Sequence, residues 1–124
     1  MSQDVVSDAL NKIMNAKRAR KSVVELVYHS KLLSSVLAIA KLKGYIKSYK
    51  VQDGKMIVEL DKLNYCKAVK PRYTVKVEDI EKYERRYLPA KNFGIIIIST
   101  SKGLMTHQSA QEKNIGGSLL AYFY

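Results

Sequence analysis

Phe93-Gly94-Ile95-Ile96-Ile97-Ile98-Ser99-Thr100-Ser101-Lys102-Gly103 is the stretch on which the fold of this chain turns. Four consecutive isoleucines are apolar and β-branched, which predicts a buried strand from Phe93 to Ser99. The strand runs directly into three hydroxyls, a lysine and a glycine. Consecutive Ser and Thr side chains offer donors and acceptors without bulk, and a glycine lets another backbone or a ligand come close. Ser99, Thr100, Ser101, Lys102 and Gly103 are therefore candidate contacts to base edges, sugars and phosphates. The same residues also suit a strand end with a Ser/Thr cap for the following helix.

Downstream, His107 to Asn114 reads as a brief helix, Gly116-Gly117 as a tight bend and Ser118 to Tyr124 as a closing strand. Upstream, Glu78 to Tyr87 reads as a short helix with Ile80, Tyr83 and Tyr87 on one face and acidic residues at its start, stopped by Pro89. Tyr65 to Lys70 and Thr74 to Val77 are short strand candidates. Pro71 separates them and puts Arg72 and Tyr73 at an edge or turn. Arg72 with Tyr73 is a pair able to touch a sugar-phosphate backbone, although Tyr73 itself reads better as a core residue of a short strand, which leaves Arg72 the stronger candidate.

The first half alternates differently. Asp4 or Ser7 can cap a helix to about Arg20, with Val6, Leu10, Ile13, Met14 and the stem of Lys17 on one face. Lys17, Arg18, Arg20 and Lys21 make its end basic, which suits a helix C-terminus and also suits phosphate. Ser22 to Tyr28 reads as a strand. Ser30 caps a second helix to Lys43 with an apolar stripe of Leu32, Leu33, Val36, Leu37, Ile39 and Ala40, closed by Gly44. Ser30-Lys31 is an ordinary N-cap pair and also a phosphate-binding helix start. Tyr45 to Val51 and Lys55 to Leu60 flank Asp53-Gly54, a β-hairpin signature. The expected class is mixed α/β (α+β) in two small lobes. Residues 1–61 form an N-terminal α-β-α-β-β lobe, and residues 62–124 form a mostly β lobe with short helices, with the seam at Asp61–Asn64.

Composition narrows the function. The chain has 124 residues, enough for one or two small units, and 47% hydrophobic residues, enough for a core. Twenty-two Lys and Arg oppose 11 Asp and Glu, a net charge of +11, which points to a polyanionic partner. Residues 1–70 hold 14 cations against 6 anions, and residues 71–124 hold 8 against 5. Lysines of the first half are thus expected to supply salt-dependent phosphate attraction, and neutral groups of the second half to read shape or base edges.

Cys66 is the only cysteine, so no internal disulfide forms. Cys66, His29 and His107 match no metal-ligand spacing, and no cofactor is expected. No apolar run reaches 18 residues and the N-terminus has no signal-peptide pattern, so a cytosolic location without membrane contact is expected.

Catalytic signatures are weak. Ser101 with His107 is the best nucleophile–base pair, but it requires an acid beside His107, and no Gly-x-Ser-x-Gly, P-loop, GxGxxG or HExxH pattern occurs. A non-enzymatic protein is expected.

Taken in order, several segments resemble the S8 family of small-subunit ribosomal proteins, in its archaeal and eukaryotic cytosolic branch. They are Asp8-Ala9-Leu10 with Ile13, Asn15-Ala16, Ser30-Lys31-Leu32, Gly44-Tyr45-Ile46, Lys70-Pro71-Arg72-Tyr73, Leu88-Pro89-Ala90, the hydroxyl run with Met105-Thr106-His107, Ala110 and Gly116-Gly117. The resemblance covers nearly the whole chain. It implies a two-lobed RNA binder that engages the central domain of small-subunit rRNA early in assembly, beside neighbouring small-subunit ribosomal proteins. Nothing suggests an oligomer, so a monomer is expected when free.

By the same resemblance Ser99, Thr100, Ser101 and Gly103 make the specific contacts at a distorted region of an rRNA helix, and Gly116 and Gly117 shape the adjoining loop. Asn15, Lys17, Ser30 and Lys31 hold neighbouring phosphates. The chain departs from the family pattern at His29, at Asp61–Lys67, where a Gly-Arg pair is missing, and at Ser118, where many bacterial members carry glutamate. A non-ribosomal RNA- or DNA-binding regulator on the same fold is the alternative expectation.

Overall fold

The computed structural model describes residues 5–26, 31–69, 72–90 and 93–124. The expected Asp4 cap, the end of the first strand at Tyr28, Ser30 and the Pro71 break lie outside the described residues. The fold is mixed α and β, and the chain divides into two compact units, Met1–Cys66 and Lys67–Tyr124. The division falls after Cys66 rather than at the expected Asp61–Asn64 seam. Buried Leu63 and Cys66 stay with the first unit, where the Cys66 N–H donates to the Met14 sulfur at 3.3 Å and its thiol points at the Leu10 carbonyl at 3.8 Å.

The first unit runs α1 (Val5–Arg18), β1 (Val23–Leu26), α2 (Lys31–Leu42), β2 (Ile46–Gln52) and β3 (Lys55–Leu60). Its antiparallel sheet has the order β1-β3-β2. The apolar stripes dictate the packing. Val6, Leu10, Ile13 and Met14 of α1, and Leu33, Val36, Leu37 and Ala40 of α2, are buried with the inward strand residues Val24, Leu26, Ile46, Met56 and Val58. Asp53 and Gly54, with φ of 53° and 74°, make the primed turn that the Asp-Gly pair predicts.

Helix α1 ends in a Schellman motif: the Lys21 N–H reaches the Ala16 carbonyl and the Arg20 N–H the Lys17 carbonyl, both at 2.9 Å, with Arg20 at φ 60°.

The second unit contains most of β4 (Cys66–Ala68), then β5 (Thr74–Val75), a 3₁₀ turn (Val77–Asp79), α3 (Ile80–Tyr87), β6 (Ile95–Thr100), β7 (Gly103–Thr106), α4 (His107–Glu112) and β8 (Gly117–Phe123). The five-stranded sheet has the order β4-β8-β6-β7, and β5 also pairs with β8. Ile96, Ile98 and Leu119 from the sheet pack with Ile80, Leu88 and Ala110. Tyr73, Tyr83, Tyr87, Tyr122 and Tyr124 line the rim of this core, each ring stacked on the next with centroids 5.0–6.5 Å apart.

Two findings differ from expectation. Gly103–Thr106 is a strand rather than loop, because Leu104 and Met105 face Ser99 and Ile98 across an antiparallel pair. The cap of α4 is Thr106, whose hydroxyl accepts the Ser109 N–H at 3.2 Å, so the Ser99–Ser101 run does not cap a helix.

Candidate nucleic-acid interface

Strand β6 carries the hydroxyl run to the end of its sheet. Thr100 pairs with Gly103, leaving Ser101 and Lys102 as the exposed turn of a β6–β7 hairpin. Gly103 has φ 106°, the only positive φ of that turn, as in hairpin loops closed by a left-handed glycine. A side chain built at Gly103 would meet nothing within 4 Å, so the backbone there faces open space that a partner can enter.

Thr100 holds the turn in shape. Its hydroxyl donates to the Gly103 carbonyl at 2.8 Å and accepts the Lys102 N–H at 3.1 Å. That hydroxyl is therefore engaged inside the loop. Ser101, Lys102 and the Gly103 backbone point outward, and Ser99 lies half-buried just behind.

The glycine pair sits directly beside this hairpin. A Cβ at Gly117 would lie 2.3 Å from the Ser99 carbonyl oxygen, and one at Gly116 would lie 2.4 Å from that of Val75. Their lack of side chains lets β5, β6 and β8 close together. In the resulting register Ser99 faces Ser118, and Ser118 faces Thr74, whose hydroxyl is 3.5 Å from that of Ser118. Directly opposed residues of neighbouring strands project to one face. Ser99, Ser118 and Thr74 thus form a row of hydroxyls across three strands next to the turn.

Thr74 was not singled out from sequence, and Ser118 was singled out only as a departure from the family pattern, not as a contact. Ser118 follows the glycine pair, a usable local signal. Thr74 is placed by strand register alone.

The remaining candidates are dispersed. Arg72 is exposed, whereas the Tyr73 ring is half-buried, 5.9 Å from Tyr83 and 5.8 Å from the Arg86 guanidinium. Tyr73 thus contributes to the core rim, and its carbonyl accepts the Leu119 N–H at 2.8 Å. In the first unit, Asn15 and Lys17 line different recesses. Lys31 is exposed at the start of α2, and Ser30 lies outside the described residues.

His107 offers no base for catalysis. It is fully buried; its Nδ1 accepts the Ile96 N–H at 3.1 Å, and its Nε2 lies 3.0 Å from Glu84 Oε2. An acid does stand beside His107, as a hydrolase requires, but both ring nitrogens are already engaged in the core. With Nδ1 accepting, the ring is neutral and Nε2–H donates to the carboxylate. Burial pushes the Cys66 thiol up to about 12, which removes it as a nucleophile. No helix among the described residues is long and apolar enough to cross a membrane.

Comparison with known proteins places the chain in a family. The family model for ribosomal protein S8 matches residues 4–124. The small ribosomal subunit protein uS8 of Picrophilus torridus is 46% identical over 129 aligned positions, covering all of both chains. That of Nanoarchaeum equitans is 44% identical over 129, again covering both in full.

Proposed function

The chain belongs to the ribosomal protein S8 family, and from that membership we infer that it is a structural, non-catalytic constituent of the small ribosomal subunit. Its task is to bind the central domain of small-subunit rRNA and support assembly there, entering as a monomer. The observation that best supports this is the β6–β7 turn: a narrow tip braced by Thr100, open at Gly103, and presenting Ser101 and Lys102. Duplex RNA hides its base edges in a deep, narrow groove, so proteins read its minor groove or irregular elements instead. A small hydroxyl tip enters such a place where a long arginine does not fit.

The roles divide between the units. Ser99, Ser101 and the Gly103 backbone contact the RNA directly, with Lys102 on an adjacent phosphate. Thr100 acts from inside the loop, and Gly116 and Gly117 hold the strands that carry it. Asn15, Lys17 and Lys31 of the first unit, with Arg72 of the second, add phosphate contacts that carry charge but no sequence information.

Binding of the central-domain rRNA fragment and of an unrelated duplex, each across a salt series, tests this. Ser101→Ala should weaken binding to the rRNA fragment alone with its salt slope unchanged. Lys31→Ala should weaken both RNAs and lower the slope by about one. Unchanged affinity of Ser101→Ala for the rRNA fragment would show that the turn is not the reader.

A further inference from the structure

We propose that the recess at the end of α1, ringed by Lys17, Arg20, Lys21 and Ser22, is a seat for a phosphate of the RNA backbone, and this rests on the reading that the chain binds rRNA. The recess holds about 270 Å³ and lies wholly within the first unit.

The first observation is conformational. Among the described residues, three non-glycine residues have positive φ: Arg20, Asp53 and Asn114. Asp and Asn tolerate that region because their short polar side chains bond locally, whereas arginine has no such compensation. Position 20 closes the Schellman motif, where glycine sits without steric cost. The strain is thus accepted at a position that lines the recess.

The second observation is electrostatic. Lys17, Arg20 and Lys21 line one small space in which Asp61 is the only carboxylate, an excess of two positive charges. No described residue makes an ion pair with any of the three. The macrodipole favours cations in the last turn of a helix, which accounts for Lys17 but not for a left-handed Arg20. Mutual repulsion among three close cations is relieved by an anion between them.

The third observation is the frame. The Ser22 carbonyl is fixed by the Leu60 N–H at 2.7 Å, and the Lys21 N–H is fixed to the end of α1. Leu60 and Leu63 supply an apolar wall. A phosphodiester in this space takes paired N–H donors from the planar Arg20 guanidinium, the two ammonium groups and the Ser22 hydroxyl.

Arg20→Gly separates this assignment from its alternatives, because it relieves the backbone while removing the charge. Thermal unfolding should rise by about 3 °C. Affinity for the rRNA fragment should fall about threefold near physiological salt, and the salt slope should fall by about 0.9. Arg20→Lys should keep the slope, and Asp61→Asn should tighten binding.

Arg20→Gly with full affinity and an unchanged slope would overturn the assignment, as would a loss of affinity with no change of slope. The rRNA reading fails separately. Wild-type protein that binds the fragment no better than an unrelated duplex would refute selectivity, while a slope lowered on both RNAs by Arg20→Gly would still establish the seat.

Discussion

Replacing His107 by phenylalanine tests how much of the second unit hangs on one buried polar pair. The ring is fully buried and the Glu84 side chain is 6% exposed, so neither has water to fall back on. Phenylalanine keeps an aromatic ring in the space but removes both bonds of the imidazole. The Ile96 N–H, in the middle of the sheet, loses its 3.1 Å acceptor, and a buried donor left unsatisfied costs about 1–3 kcal/mol. Glu84 loses a 3.0 Å charge-assisted bond worth about 1.5–3 kcal/mol.

Together these give about 2.5–6 kcal/mol. With a urea slope of about 1.5 kcal/mol/M, the midpoint should fall by about 2–4 M. Glu84→Gln is the control. Its amide oxygen still accepts Nε2–H, so it should cost only about 1 kcal/mol. Equilibrium urea unfolding followed by circular dichroism measures both. A His107→Phe loss below about 1 kcal/mol, or a Glu84→Gln loss as large as that of His107→Phe, would refute the reasoning.

Three further outcomes follow from the geometry. Gly117→Ala places a methyl 2.3 Å from the Ser99 carbonyl oxygen, so it should cost about 3 kcal/mol in thermal unfolding. Gly103→Ala, with open space but φ 106°, should cost only about 1–2 kcal/mol, and equal losses would contradict the packing role of Gly117.

Thr100→Val should weaken binding to the rRNA fragment without altering the salt slope, and Thr100→Ser should restore it. Restoration failing in Thr100→Ser would mean that the methyl, not the hydroxyl, matters. Cys66 has its thiol raised from 9.0 to about 12 by burial, so the folded state holds its proton where the unfolded state releases it. Its contribution is whole below pH 9.0 and is lost as pH rises toward about 12. Stability should therefore decline over that window, and less steeply in Cys66→Ala, measured by urea titration at stepped pH.

The elements legible in the sequence are those whose residues carry their own period. One-sided stripes in α1 and α2 identify the helices, Asp53-Gly54 identifies the hairpin, and four isoleucines identify β6. The hydroxyl run announces itself for the same reason, as polar residues directly after a buried run. Strand β7 escapes because Gly103 opens it and only Leu104 and Met105 are apolar, too few to show alternation. Thr74 joins the hydroxyl row through pairing with Ser118, 44 residues away, and no local pattern encodes a register. Glu84 and His107 meet across 23 residues for the same reason. The left-handed Arg20 is hidden too, since the usual marker of that conformation is a glycine that this chain lacks there.

A hairpin tip built this way has a kinetic signature. Its connection is two residues long and already cross-bonded by Thr100, so few torsions remain to be frozen when RNA arrives. Encounter is then governed by charge, through lysines spread over the surface, and proceeds at similar speed on matched and mismatched RNA. Discrimination is left to how long the complex lasts. Substitutions at Ser101 should shorten residence time with the association rate nearly unchanged, while surface lysine substitutions should slow arrival. On the proposed function, such a tip would reject wrong sites by leaving them quickly.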